Sequence, residues 1–230
     1  VPPLNLVGDM GGGGMLLVNG VLAALLEAAN SGKGQVIDAA MVDGAAQLMW
    51  MFHGFEHIGM WDVTQRGSNL LDGGAPFYDT YECADGEYVA IGSIEPQFYA
   101  LLKDLAGLSE EEFGDQNNPA KWPEMKEKLA AVIAGKTQAQ WCEIMEGTDV
   151  CFAPVLNLVD AARHPANVAR NTYIEVDGMT QPAPAPRFSR TPAEVRHGGH
   201  DTGQDTDEVL AAMGFAEQEI AGLKESGSIA

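Results

Sequence analysis

Asp9 stands just ahead of four consecutive glycines, Gly11 to Gly14, and a long apolar stretch begins at Met15. A carboxylate in that place has two readings. It could cap the apolar helix that follows, where short acidic side chains meet the positive end of the helix. It could also give or take a proton at the mouth of a ligand site, since the glycines clear side chains from the approach to the backbone N–H groups. A glycine run costs chain entropy on folding, so a plain linker explains it poorly. Glu95 is the second acid of interest. It precedes Pro96, a residue suited to the first position of a helix. Glu95 thereby falls at the cap, where Ser, Thr, Asp and Asn are preferred. The misfit is consistent with another task for its carboxylate, the alternative being an ordinary surface glutamate near a helix dipole. His53 and His57 share a helix face, but Glu56 is misplaced for a His-Glu-x-x-His zinc pattern. His197, His200 and Asp201 surround two glycines and lack a rigid scaffold, so no metal site is expected. Cys83, Cys142 and Cys151 form neither a CxxC pair nor an even set, which indicates no zinc or disulfide framework.

These residues need elements to hold them. Met15–Ala29 reads as a buried helix, closed by the turn Asn30-Ser31-Gly32-Lys33-Gly34. Residues 35–41 read as a short buried strand, and Asp43-Gly44 opens a second helix from Ala45 to about His57. That alternation is an α/β rhythm. Met41, Met49, Met51 and Met60 lie in or beside the second helix. Methionine adapts to irregular apolar partners, so a wall for an acyl chain is one reading and plain core packing the other. Thr64–Ala75 is a polar, glycine-containing loop and a candidate domain boundary. Residues 77–82 and 87–91 then form a hairpin around Ala84-Asp85-Gly86. Helices are expected over 97–108, 123–134 and 138–146, the last capped by Thr137. Residues 150–156 form a strand that Pro154 confines to an edge. A short helix over 157–163, a strand over 172–176, a proline-rich extended segment over 181–187 and two terminal helices complete the chain. The mixture after residue 72 has the look of an α+β subdomain.

The composition bounds the function. The 230 residues are 46% hydrophobic and 20% charged, with a net charge of −20. So acidic a chain argues against nucleic acid or an anionic membrane surface as main partner. The apolar run Met15–Ala29, broken by Asn19 and Gly20, is too short for a bilayer, so no membrane span is expected. Val1-Pro2-Pro3 has no signal-peptide character. A helix apolar nearly all round needs partners on several sides, and so near the start it reads as belonging to the C-terminal part of a longer protein.

Several stretches together resemble one family: Leu6-Val7-Gly8-Asp9 with its glycines, Ser31-Gly32-Lys33-Gly34-Gln35-Val36-Ile37-Asp38, Asp72-Gly73-Gly74-Ala75-Pro76-Phe77-Tyr78, Ile94-Glu95-Pro96-Gln97-Phe98-Tyr99 and Pro184-Ala185-Pro186-Arg187-Phe188-Ser189-Arg190-Thr191. The chain is similar, essentially from end to end, to the alpha-methylacyl-CoA racemase branch of the type III CoA-transferase superfamily. The resemblance implies a large Rossmann-like α/β domain, partial here over residues 1–70, a small α+β domain over 72–180, and a linker with C-terminal helices over 181–230 that return to the large domain. It also implies an interlocked homodimer. The implied reaction is epimerisation at the α-carbon of 2-methyl-branched acyl-CoA thioesters, by proton removal and return through an enolate, with no metal or organic cofactor. Asp9 matches the family's catalytic aspartate, and Glu95 the glutamate that supports its catalytic histidine. Gly11, Gly12, Met41, Met49 and Tyr78 are the candidate substrate-binding residues. The histidine itself, in a Gly-His-Asp stretch, and most of the CoA-binding segment are expected before Val1. Two rivals stand: a type III CoA-transferase using a carboxylate nucleophile, and an inactive fragment that only dimerises. The C-terminus is not a Ser-Lys-Leu-type address, so a cytoplasmic location is expected.

Overall fold

The computed structural model describes residues 3–229, which divide into two compact units, Val1–Val155 and Leu156–Ala230. The division falls just after the third strand.

The first unit opens on one continuous helical run. Leu6–Met15 is wound as a π-helix and passes directly into α1, Leu16–Ser31, which Gly32 ends in the left-handed region at φ 73°. None of the α1 residues is buried, although the helix is apolar nearly throughout. The joined run Leu6–Ser31 is 26 residues, long and apolar enough by length and composition to cross a membrane. The expectation that the apolar run is too short therefore does not hold, because the glycine segment is helical and extends it. The same composition is what a helix between the layers of an α/β domain requires. Residues 33–40 have no regular secondary structure, and Val36 is 97% exposed, so the expected strand over 35–41 is absent. A strand needs a neighbouring strand to satisfy its backbone, and none stands beside it among the described residues. The single helix expected up to His57 is two helices, α2 (Met41–Leu48) and α3 (Trp50–His57), divided at Met49.

The loop that follows is ordered by its own side chains. Asn69, buried, accepts from the Asp62 N–H (2.7 Å), donates to the Asp62 carbonyl (3.1 Å), and is held through its backbone and side chain by Asp72. The hydrophobic core of the unit lies beyond it. β1 (Tyr78–Glu82) and β2 (Tyr88–Gly92) form the expected hairpin, and β3 (Phe152–Val155) adds antiparallel to β2. The order β1-β2-β3 leaves Pro154 on an edge strand, where a missing N–H is tolerated. Helices α4 (Pro96–Ala106), α5 (Glu110–Phe113), α6 (Trp122–Ile133) and α7 (Gln138–Met145) surround the sheet. Phe77, Leu102, Met125, Leu129, Ile133, Trp141 and Val150 are the fully buried centre. Phe77 meets Tyr99 and Trp122 edge-on, at 5.4 and 5.9 Å between ring centroids. α7 begins on a capping box in which Thr137 and Gln140 exchange side-chain and backbone bonds.

The second unit holds α8 (Leu158–Arg163), α9 (Pro165–Arg170), the hairpin β4 (Tyr173–Val176) and β5 (Met179–Pro182), then α10 (Thr206–Ala212) and α11 (Glu217–Glu225). Helix α9 and strand β5 were not expected. Asp177-Gly178 supplies the hairpin turn with both residues at positive φ, 51° and 79°, and the head of the proline-rich segment pairs before the prolines take over.

Candidate active site

Asp9 lies inside the helical run, in its first turn, and not ahead of it; the cap position is Asn5, which makes no side-chain cap bond. The helix forms through the glycines because it packs on α2. Gly12 and Gly13 are buried, and the contacts run antiparallel along the two helices: Gly11 against Leu48, Gly12 against Gly44 and Ala45, Gly13 against Met41. The crossing is made by backbone. A methyl added to Gly44 would sit 1.8 Å from the Gly12 carbonyl oxygen, and one added to Gly12 would sit 2.8 Å from the Ala45 nitrogen. In a π-helix each N–H faces the carbonyl five residues back, so the glycine amides belong to the helix and not to an open anion cradle. Gly11 and Gly12 thus face α2. The structure places Met41 at the head of α2, against Gly13, and Met49 at the break between α2 and α3; they are 53% and 47% exposed, which core packing within this chain does not explain.

The Asp9 carboxylate is exposed and has no hydrogen-bond or ion-pair partner among the described residues. Glu95 shares that condition. It occupies the N-cap of α4 in extended backbone, φ −70° and ψ 144°, and Pro96 follows at the first helical position, yet its side chain makes no cap bond. Its carbonyl accepts from the Tyr99 N–H at 2.9 Å, so the backbone starts the helix and the carboxylate stays uncommitted. No hydrogen bond joins Asp9 to Glu95 among the described residues.

The segment that carries Glu95 is tightly fixed. Gly92 N–H donates to the Cys151 carbonyl at 2.8 Å, and the fully buried Ser93 donates through Oγ to the Val150 carbonyl at 2.5 Å. Gln116, also buried, donates through Nε2 to the carbonyls of Ser93 (3.3 Å) and Ile94 (2.8 Å). Cys151 sits beside this segment with φ 58°. Desolvation raises its thiol above the ordinary value, and the charges of Glu95 and Asp149 add to the effect, so it is no activated nucleophile. Cys151 and Tyr78 line one cavity of about 590 Å³ over the sheet, with Asp79, Ala90, Gly92 and Phe152. Tyr78 is therefore placed at a cavity that Gly92, at the end of β2, also lines.

Two histidines of the second unit pair with each other. His197 and His200 stack at 4.2 Å, and His200 Nδ1 bonds Asp205 at 2.7 Å. Gly199-His200-Asp201 has the Gly-His-Asp form that the resemblance gives to an upstream histidine, but this imidazole is engaged by the Asp205 carboxylate. Among the described residues no group of three potential ligands is placed to hold a metal ion. Ser93 and Gln116 were not singled out from the sequence, and no local pattern marks them, since their bonds reach 57 and 22–23 residues away.

The chain matches known proteins over nearly its whole length. Residues 3–206 match the model of CoA-transferase family III, and the chain belongs to that family. It is 50% identical over 226 residues to the alpha-methylacyl-CoA racemase of Mus musculus, covering 96% of this chain and 58% of that protein. To the alpha-methylacyl-CoA racemase of Homo sapiens it is 44% identical over 221 residues, covering 95% and 57%. The chain thus spans under two thirds of the length of these relatives. Among solved structures, a CAIB/BAIF family protein from Brucella suis superposes with a TM-score of 0.69 at 19% identity, covering 88% of this chain and 54% of that one. Rv3272 from M. tuberculosis superposes at 0.64 and 21% identity, covering 85% and 51%. At such identities these structures speak for the fold, the mixed α/β architecture of the type III CoA-transferases.

Proposed function

We propose that this chain carries one side of the active site of an epimerase that inverts the α-carbon of 2-methyl-branched acyl-CoA thioesters. The observation that supports the reading most is the 50% identity to the mouse racemase across nearly the whole chain. The α-proton of a thioester is far less acidic than any side chain, so an enolate must be stabilised and the proton-transfer groups pre-positioned. Inversion takes one such group on each face of the α-carbon. In this reading Asp9 serves one face. A histidine serves the other and is supported by Glu95. The uncommitted carboxylates of Asp9 and Glu95 fit groups reserved for a substrate or partner. The reaction needs no metal or organic cofactor, CoA being part of the substrate. The acyl chain lies along Met41 and Met49, with Tyr78 at the cavity over the sheet, and the working unit is an interlocked homodimer.

The test uses the full-length protein in D₂O with one epimer of a 2-methylacyl-CoA. Deuterium is expected at the α-carbon, with loss of optical purity and without an acceptor acid. Transfer of CoA to a free carboxylic acid without α-exchange would overturn the reading in favour of a CoA-transferase. Asp9→Asn is expected to slow exchange by about 10²- to 10⁴-fold, the usual contribution of a positioned acid or base.

A further inference from the structure

Strand β2 ends at Gly92, and α4 begins at Pro96. The residues between carry carbonyls that neither ladder nor helix satisfies, and such groups need partners wherever they are buried. The first in-strand bond beyond β2 is Gly92 to Cys151, and Ile94 N–H folds back on the Gly92 carbonyl at 2.9 Å. The carbonyls of Ser93 and Ile94 both end on the one Nε2 group of Gln116. Gln116 is fixed in turn: its own carbonyl accepts the Trp122 indole N–H at 2.8 Å, and Trp122 is packed edge-on against Phe77. A rigid path thus runs from the aromatic core to the peptide immediately before Glu95. On its far side the Glu95 carbonyl is taken by the Tyr99 N–H, and Tyr99 is anchored by its hydroxyl donating to the Phe113 carbonyl at 2.8 Å. Both flanks of Glu95 are therefore clamped to the core, while its carboxylate alone is left free. That is the arrangement expected where a side chain must meet a second group at a set distance and angle.

We propose that Gln116 is the positioning residue of Glu95: its amide, by holding the Ser93 and Ile94 carbonyls, sets where the Glu95 carboxylate is presented to its partner in the acid–base pair. The inference rests on the reading of Glu95 as the support of the catalytic histidine. A 1 Å misplacement of such a group is enough to cost about 10²-fold in rate.

The experiment is a double-mutant cycle on the full-length protein, read as α-exchange kcat and KM. Gln116→Met keeps the length of the side chain and removes both donors. It is expected to lower kcat by about 10-fold or more with KM nearly unchanged. In a Glu95→Gln background, itself slowed, it is expected to add almost nothing, because the group it positions is already gone. Trp141→Phe removes a buried bond of the same core, Trp141 Nε1 to the Ile133 carbonyl at 2.8 Å, which holds no residue of the Glu95 segment. It is expected to lower the melting temperature while kcat holds. Unchanged kcat in Gln116→Met, or the same fold-loss in both backgrounds, overturns the proposal while the reading of Glu95 stands. A normal rate in Glu95→Gln overturns that reading, and the proposal with it. Should Gln116→Met fail to fold, Gln116→Asn, which keeps the donors but withdraws them by one methylene, is read in the same cycle with the same outcomes.

Discussion

At the scale of single residues, the core of the first unit buries groups that resist charge. Tyr81 donates its hydroxyl to the Pro76 carbonyl (2.5 Å) and Tyr99 to the Phe113 carbonyl, and burial raises both phenols well above their ordinary 10.0. Burial also pushes the Cys83 thiol up to about 11 from 9.0, with Asp85 and Glu87 adding. A folded-state pKa raised above the unfolded one stabilises the fold below the unfolded value and loses that contribution as pH rises toward the folded one. The melting temperature is therefore expected to hold to about pH 9 and then fall through pH 10 and above. Tyr81→Phe should flatten the decline, and an unchanged alkaline limb in that variant would contradict the assignment. Cys83 should likewise resist alkylation at pH 8 until the protein unfolds. These same residues bear on what could be read without coordinates. Glu95 was legible because a proline at the first helical turn and the cap preferences locate it to the residue. Gln116 was not, because it acts on carbonyls more than twenty positions away, and periodicity reports only neighbours along the chain.

Elements differ in the same way. The hairpin of β1 and β2, the capping box of α7 and the edge position of β3 follow from local chemistry, and each was legible. The glycine segment was not: propensity reads four glycines as a loop, but contact with α2 overrides it. The expected strand over 35–41 failed for the opposite reason, since alternation cannot supply the neighbouring strand a ladder requires. Two glycine substitutions separate these effects. Gly44→Ala is expected to force the helices apart and cost about 1–3 kcal/mol. Amide exchange should accelerate across residues 6–48 while protection over 75–155 holds. Gly14→Ala, whose methyl would meet nothing closer than 3.5 Å, should instead stabilise the run by about 0.5–1 kcal/mol. Equal exchange in the two variants would refute the backbone crossing. Thr137→Ala should cost about 1 kcal/mol by removing the cap of α7, measured by denaturant titration.

At the scale of the molecule, burial is uneven. The core cluster of the first unit spans Ala75 to Val150, whereas Leu17, Val18, Leu22, Leu25 and Leu26 of α1 stand 47–67% exposed. Surface of this kind belongs against other protein. The isolated 230-residue chain is therefore expected to bind a hydrophobic dye and to self-associate, as seen by light scattering, with exchange protection concentrated in residues 75–155. A monodisperse monomer that binds no dye would contradict this. The overall class was readable from the sequence because its motifs recur in order along nearly the whole chain. The order of the loop over 64–75 was not, since it looks like a linker in composition while Asn69 and Asp72 bind it into a fixed turn. The contact of Gly12 with Gly44 has a further consequence for inherited variation. Neither residue bears a reactive group, and exchange for alanine would pass as conservative by chemistry. Because each methyl would strike backbone, no change of rotamer elsewhere could absorb it. Neutral drift is thus closed at these two positions, and a variant there would carry a broken helix crossing beside an intact core over 75–150.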